Sequence, residues 1–232
     1  LRVADVERVV FLINDLRGLT ARFEVKAGSQ PGTASLVVNL QPEARYTARA
    51  DLDSFGAPYL GRFRLGALGY VNSIFGRGDS LTANVLVSRG LKFALLGANM
   101  PVGADGLKFG ASLSTVRYQL DETQFPLGVN GTATSVSVYG LYPWVRSRNL
   151  NLFVIGTFDS NQYSDRQDVA QSDVRRSIRR SILGLTGDLR DNLFDGAVNT
   201  FDGSLVKGQV SYADGPPGGL DDSASFTKLT LN

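Results

Sequence analysis

Across Leu107-Lys-Phe-Gly-Ala-Ser-Leu-Ser114 two kinds of residue alternate without a break. Leu107, Phe109, Ala111 and Leu113 are apolar, while Lys108, Gly110, Ser112 and Ser114 are polar or small. A period of two puts each set on its own face of an extended strand. The pattern is general. From about Ala44 helical spacing disappears, and ten strand-like segments follow, near 45–53, 61–71, 80–89, 91–100, 107–118, 132–143, 150–162, 175–189, 196–210 and 224–232. Most are longer than the five or six residues usual in globular sheets, and they match the roughly 9–11 residues of a tilted transmembrane strand.

Other segments repeat the pattern. Leu81, Ala83, Val85 and Val87 alternate with Thr82, Asn84 and Ser88, and Val136, Val138, Tyr142 and Trp144 oppose Ser135, Ser137 and Tyr139. Tyr142 and Trp144 stand at a segment end, where an aromatic girdle belongs. Turn clusters at 72–79, 101–106, 146–149 and 191–196 roughly alternate with longer polar loops at 119–131, 163–174 and 211–223; the connection at Arg89-Gly90 is short where a loop is expected. Short turns at one rim and long loops at the other describe an antiparallel transmembrane β-barrel. A soluble β-sandwich also alternates. Glycine favours the barrel: Gly66, Gly69, Gly97, Gly110, Gly140, Gly156 and Gly184 lie inside segments, where they would weaken an ordinary sheet. The arginines 175, 176, 179 and 180 fall on both faces, so that stretch is expected to project beyond the membrane, with Leu183 and Leu185 entering it.

The first 42 residues differ. Val6, Val9, Val10 and Ile13 follow helical spacing and predict a helix over 4–16, with Gly18 as its left-handed cap. A hairpin over 20–40 follows, turning through Ala27-Gly-Ser-Gln-Pro-Gly32. One helix and two strands are too few for a self-sufficient core, so this reads as the end of a small α+β domain. The sequence opens at Leu1 and stops inside a strand-like segment, so it is expected to be part of a longer chain.

Composition removes most enzyme classes. Histidine and cysteine are absent, which excludes disulfide scaffolds, imidazole or thiolate metal sites and Ser-His or Cys-His catalysis. No phosphate-binding glycine loop is visible, and no cofactor is implied. A net charge of +2 does not suggest nucleic acid. Several short patterns read more plainly as chance or scaffold: Arg77-Gly-Asp79 in a turn, the Asn130-Gly-Thr132 sequon, the Asp51/Asp53 pair, and the loop carboxylates Asp214, Asp221 and Asp222. The arginines at 175–180 are candidates for lipopolysaccharide phosphates, with a solvated loop base as the plainer reading.

The run Phe11-Leu-Ile-Asn-Asp-Leu-Arg-Gly-Leu19, followed by Phe23-Glu-Val-Lys-Ala-Gly-Ser-Gln-Pro-Gly-Thr-Ala-Ser-Leu-Val-Val38, resembles the end of a POTRA domain. It is similar to the last POTRA domain of two-partner secretion transporters (TpsB type, the haemolysin-activator and filamentous-haemagglutinin transporters), with Arg17 where that pattern commonly carries proline. Asp51-Leu-Asp-Ser-Phe-Gly56 with Tyr59-Leu-Gly61 is similar to that family's first strand and loop. Asn72-Ser-Ile-Phe-Gly-Arg-Gly-Asp79 resembles its first periplasmic turn, and Ser225-Phe-Thr-Lys-Leu229 a later strand. The resemblance implies residues 1–42 as the end of a POTRA domain and 43–232 as about ten strands of a sixteen-stranded barrel. Ten strands cannot close that circumference, so an open sheet with unpaired edges is expected.

It further implies an outer-membrane pore, with its N-terminal part in the periplasm. The pore would secrete a large partner exoprotein without nucleotide hydrolysis, in contact with outer-membrane lipid and lipopolysaccharide. Arg22, Glu24 and Lys26 are candidates for capturing the client by strand addition. Lys108, Ser112, Ser114, Ser135 and Ser137 are candidates for the wet wall of the passage. A barrel-assembly factor of the same superfamily and a passive porin remain alternatives.

Overall fold

Long antiparallel strands, each hydrogen-bonded to its neighbours in sequence, make up most of the chain. The computed structural model describes residues 3–191, 196–213 and 223–232. It opens with α1 (Val3–Asn14) and a two-stranded hairpin of β1 (Leu19–Ala27) and β2 (Ala34–Pro42). Ten strands follow: β3 (Tyr46–Asp53), β4 (Arg64–Asn72), β5 (Ser80–Val87), β6 (Leu91–Val102), β7 (Leu107–Gln119), β8 (Val129–Arg146), β9 (Leu150–Gln167), β10 (Ser172–Asp191), β11 (Ala197–Tyr212) and β12 (Ser223–Leu231). They form one sheet in sequence order, and among the described residues β3 and β12 do not pair with each other. The sheet is an open antiparallel barrel wall.

All ten expected segments are strands, but one expected loop is not. Residues 163–174 form the far end of a β9–β10 hairpin whose pairing runs out to Gln167 and Ser172. Polar side chains there made strand look like loop. They are held across strands: Tyr118 donates from its hydroxyl to Asp165 at 2.8 Å, and Arg176 lies 3.5 Å from the same carboxylate. The expected turn at 191–196 and loop at 211–223 fall partly outside the described residues, as do Asp214, Asp221 and Asp222.

The sheet is inverted relative to a soluble domain. One face, the outer, exposes Leu81, Leu96, Phe109, Leu113, Val138 and Leu183, with Leu113 50% and Phe109 51% exposed. Register joins these residues into one surface: Leu81 lies opposite Ala98, Leu96 opposite Leu113, Ala111 opposite Val138. The buried polar residues include Asn151, Asn161, Asp79 and Ser80, and the buried apolar ones include Ala21 and Pro143. Such a surface is unstable in water and suited to lipid. Apolar outer residues run from Val136 to Trp144 on β8 and from Leu150 to Phe158 on β9. Nine residues at about 3.3 Å each, tilted about 40°, span roughly 23 Å, close to the band of about 25 Å on membrane barrels. No described helix is long and apolar enough to cross a membrane, so any crossing is by strands.

Candidate functional site: the inner face and the docked helix

The opposite, inner face is polar and bonded to itself. Ser135 Oγ lies 2.5 Å from Asn161 Oδ1, and Ser137 Oγ donates to Asp159 at 2.7 Å. Arg180 donates to the other oxygen of Asp159 at 3.0 Å. Asn151 donates to both oxygens of Asp188, at 3.1 and 3.0 Å, and Arg176 stacks 5.0 Å above the Tyr163 ring. Strand period and cross-strand register put these groups side by side on β8, β9 and β10. A hydroxyl and a guanidinium share the Asp159 carboxylate, and an amide serves that of Asp188, so both carry hydrogen bonds without closing the face to water. Ser112 and Ser114 stand opposite Ser137 and Ser135 on this face.

Helix α1 closes one end of the wall. It docks on three short connections, between β4 and β5, β6 and β7, and β8 and β9. Asp15, just past the helix, receives two bonds from Arg146, Nε to Oδ2 at 3.0 Å and a terminal nitrogen to Oδ1 at 2.8 Å. The same guanidinium reaches Asn151 at 2.5 Å and lies 4.8 Å from the Phe11 ring centroid. Lys108 donates from Nζ to the Asp15 carbonyl at 2.6 Å, so its ammonium is committed to the helix end. Arg8 donates to the Pro143 and Asp105 carbonyls at 3.2 and 3.3 Å.

Two glycines fit the helix to this rim. Gly106 has φ +83°, and a Cβ there would lie 2.5 Å from Leu12 Cδ2 and 2.7 Å from Pro143 Cγ. Gly78, at φ +78°, would place a Cβ 3.0 Å from Leu16. Positive φ and missing volume are both required, which only glycine supplies. The turn holding Gly78 is organised by Asp79, 3% exposed. Its carboxylate accepts from the N–H groups of Ile74 at 2.9 Å, Phe75 at 3.1 Å and Arg77 at 3.3 Å. Burial alone would raise the Asp79 pKa, but these amide bonds outweigh it and hold the carboxyl below its usual range.

The helix therefore presents Arg8, Phe11, Leu12, Asp15 and Leu16 to the rim. The expected stripe of Val6, Val9, Val10 and Ile13 is a different face, and Val9 on it is 46% exposed. Next to the helix, Ala21 donates its N–H to Asn14 Oδ1 at 3.1 Å. Arg22, Glu24 and Lys26 are exposed on β1, with Glu24 and Lys26 3.3 Å apart. At the far rim, residues 54–63 fold against the β5–β6 and β7–β8 connections. Asp121 and Gly90 donate N–H groups to the Tyr59 and Leu60 carbonyls at 2.9 and 2.8 Å, Arg89 pairs with Asp121, and Tyr59 meets Phe125 edge-on at 5.5 Å. Asp53 is paired with Arg64 at 2.8 Å and Asp51 lies 3.4 Å from Arg49.

No family model matches the chain. The heme/hemopexin transporter protein HuxB of Haemophilus influenzae strain 86-028NP is 26% identical over 207 residues, 87% of this chain. HuxB of strain ATCC 51907 is 25% identical over the same share. The chain spans 37% of the length of these relatives. CdiB from Escherichia coli superposes on all of this chain and 44% of its own, with a TM-score of 0.69 at 16% identity. The chain resembles the TpsB-type transporters. CdiB from Acinetobacter baumannii covers 95% of the chain and 45% of its own, with a TM-score of 0.61 at 14% identity. A wall of the CdiB barrel fold accounts for the outer apolar band, the polar inner face and the open edges together.

Several residues of this site carried no sequence signal. Asp15 and Arg146 are 131 positions apart, and Arg8 and Pro143 are 135 apart. Asp159 sat in a segment read only as strand, and Arg180 in a stretch read as a solvated loop base. The turn motif ending at Asp79 drew attention in advance, as did Lys108 and the serines at 112, 114, 135 and 137.

Proposed function

We propose that the chain is part of an outer-membrane transporter that passes a partner exoprotein from periplasm to cell surface without nucleotide hydrolysis. Residues 1–42 are the end of a periplasmic POTRA domain and 43–232 the first strands of the barrel. The observation that carries this reading is α1 locked onto the short-turn rim through Asp15 and Arg146, at the mouth of a polar inner face. An extended client adds to an open edge of the β1–β2 hairpin through backbone hydrogen bonds, with Arg22, Glu24 and Lys26 selecting among sequences. It then moves along Ser112, Ser114, Ser135 and Ser137, which offer an unfolded chain hydroxyls, while Lys108 holds the helix end. A passive porin has no use for a helix fixed across its rim.

The test is secretion of the partner exoprotein by cells carrying the full-length protein. Breaking the rim contact with Asp15→Ala should lower secreted exoprotein at least about fivefold while leaving the amount of folded barrel unchanged. Unchanged secretion in that variant sinks the reading.

A further inference from the structure

The charges of the sheet are sorted by face. On the inner face stand Asp202 and, with arginine partners, Asp51, Asp53, Asp159, Asp165 and Asp188. The cations of the outer face are Lys92, Arg117, Arg166, Arg175, Arg179 and Lys207, fixed there by register with the apolar residues. All six lie on the side of the apolar band away from α1. The carboxylates at outer positions are Asp173, at the tip of the β9–β10 hairpin, and Asp191, at the opposite rim.

Four of these cations are exposed and have no hydrogen bond or ion pair among the described residues: Lys92, Arg117, Arg179 and Lys207. Lys92 is directly opposite Arg117. Like charges in register repel and destabilise a sheet unless an anion lies between them. Lys207 is opposite Ser181, one outer position from Arg179, which makes a second pair. Both pairs lie just beyond the apolar run of their own strands. Lys207 follows Leu205 by two residues and Lys92 precedes Ala94 by two, while Arg117 and Arg179 lie four residues from Leu113 and Leu183. Two to four residues rise about 5–10 Å along a tilted strand, the depth of the headgroup layer beyond the hydrocarbon.

We propose that Lys92 with Arg117, and Arg179 with Lys207, are two binding sites for the phosphates of lipopolysaccharide in the leaflet facing away from α1. The inference rests on the outer-membrane reading and names the lipid chemistry that the outer face takes. A guanidinium and an ammonium on adjacent strands can share one phosphate, which removes their mutual repulsion. Anchoring at two places in the wall, on β6–β7 and on β10–β11, fixes its height and tilt in the leaflet.

The test uses the full-length protein purified in detergent, loaded with lipopolysaccharide and freed of excess by gel filtration, with bound phosphate measured per protein. The quadruple variant K92Q/R117Q/R179Q/K207Q should retain at least about tenfold less than the parent, since each basic side chain near an anionic surface contributes on the order of 1 kcal/mol. Dephosphorylated lipopolysaccharide should erase the difference, and K92R/R117K should keep parental retention. Arg77→Gln with Arg148→Gln, in turns beside α1, removes charge elsewhere and should change nothing. Equal retention by parent and quadruple variant, or equal loss in the turn variant, overturns the proposal. Folding is checked by heat-modifiable gel migration; should the quadruple variant misfold, each double variant is read alone, with about half the parental phosphate expected because the other site remains. Secretion is scored separately: phosphate retained without secretion sinks the transport reading and leaves this one standing.

Discussion

Asp15 and Arg146, 131 positions apart in the chain, meet through two parallel hydrogen bonds of 3.0 and 2.8 Å. Geometry of this kind aligns a planar guanidinium with a carboxylate and fixes orientation as well as distance. Both side chains are largely sheltered, at 18% and 24% exposure, so the pair is worth more than a surface ion pair. Removing the Asp15 carboxylate should weaken docking of α1 by about 1–3 kcal/mol. Hydrogen exchange checks this: amides of residues 11–16 should exchange about tenfold faster in Asp15→Ala, while those of β7–β9 keep parental rates.

Gly106 makes a sharper test of the same contact. Gly106→Ala adds one methyl at φ +83° against Leu12 and Pro143. Strain and overlap together should cost about 1–3 kcal/mol. Leu12→Ala in the same chain removes the atoms it meets and should recover part of that loss, which exchange at α1 amides would register.

The two faces of β7 predict opposite tolerances at adjacent positions. Leu113→Arg places a charge in the apolar band and should destabilise the folded barrel by about 2–4 kcal/mol. Ser112→Arg lies on the inner face and should be nearly neutral. Denaturant titrations of barrels refolded into vesicles would compare them.

Asp79 gives a pH dependence with a definite sign. Its carboxyl is held below the unfolded value of about 3.9, so it contributes stability above that value and loses it as pH falls through the folded one. Asp79→Asn should therefore destabilise the β4–β5 turn by about 1–2 kcal/mol at pH 7, and the gap to the parent should narrow below about pH 4. Exchange of the Ile74, Phe75 and Arg77 amides across that range is the measurement.

The paired charges of the inner face should appear in conductance. Asp159→Asn leaves Arg180 without its carboxylate partner and adds net positive charge to the wall. Planar-bilayer recordings should show selectivity moving toward anions, and Arg180→Gln should move it toward cations.

Fold and site were unequally legible in the sequence. In β7 the alternation from Leu107 to Ser114 was complete, because one side meets lipid and the other water, and each leaves its mark at every second residue. The same logic failed at 163–174, where both faces are wet and strand composition becomes loop composition; pairing there depends on Tyr118 and Asp165, 47 positions apart. In α1 the valines gave the period but not the contacting face. That face carries Arg8 and Asp15, whose partners are backbone carbonyls and one distant arginine, and nothing in local hydropathy marks them. Gly78 and Gly106 look like ordinary turn glycines until the helix is seen lying on them.

The walls of this sheet are of unequal height. β3 is 8 residues long and β10 is 20, and the stretch of β10 from Ser172 to Arg180 lies beyond the apolar band. Those nine residues rise roughly 23 Å past that band on one side of the wall. The rim is therefore high on the β9–β10 flank and low at β3, so anything at this mouth is backed by protein on one side and by open solvent on the other, a one-sided parapet.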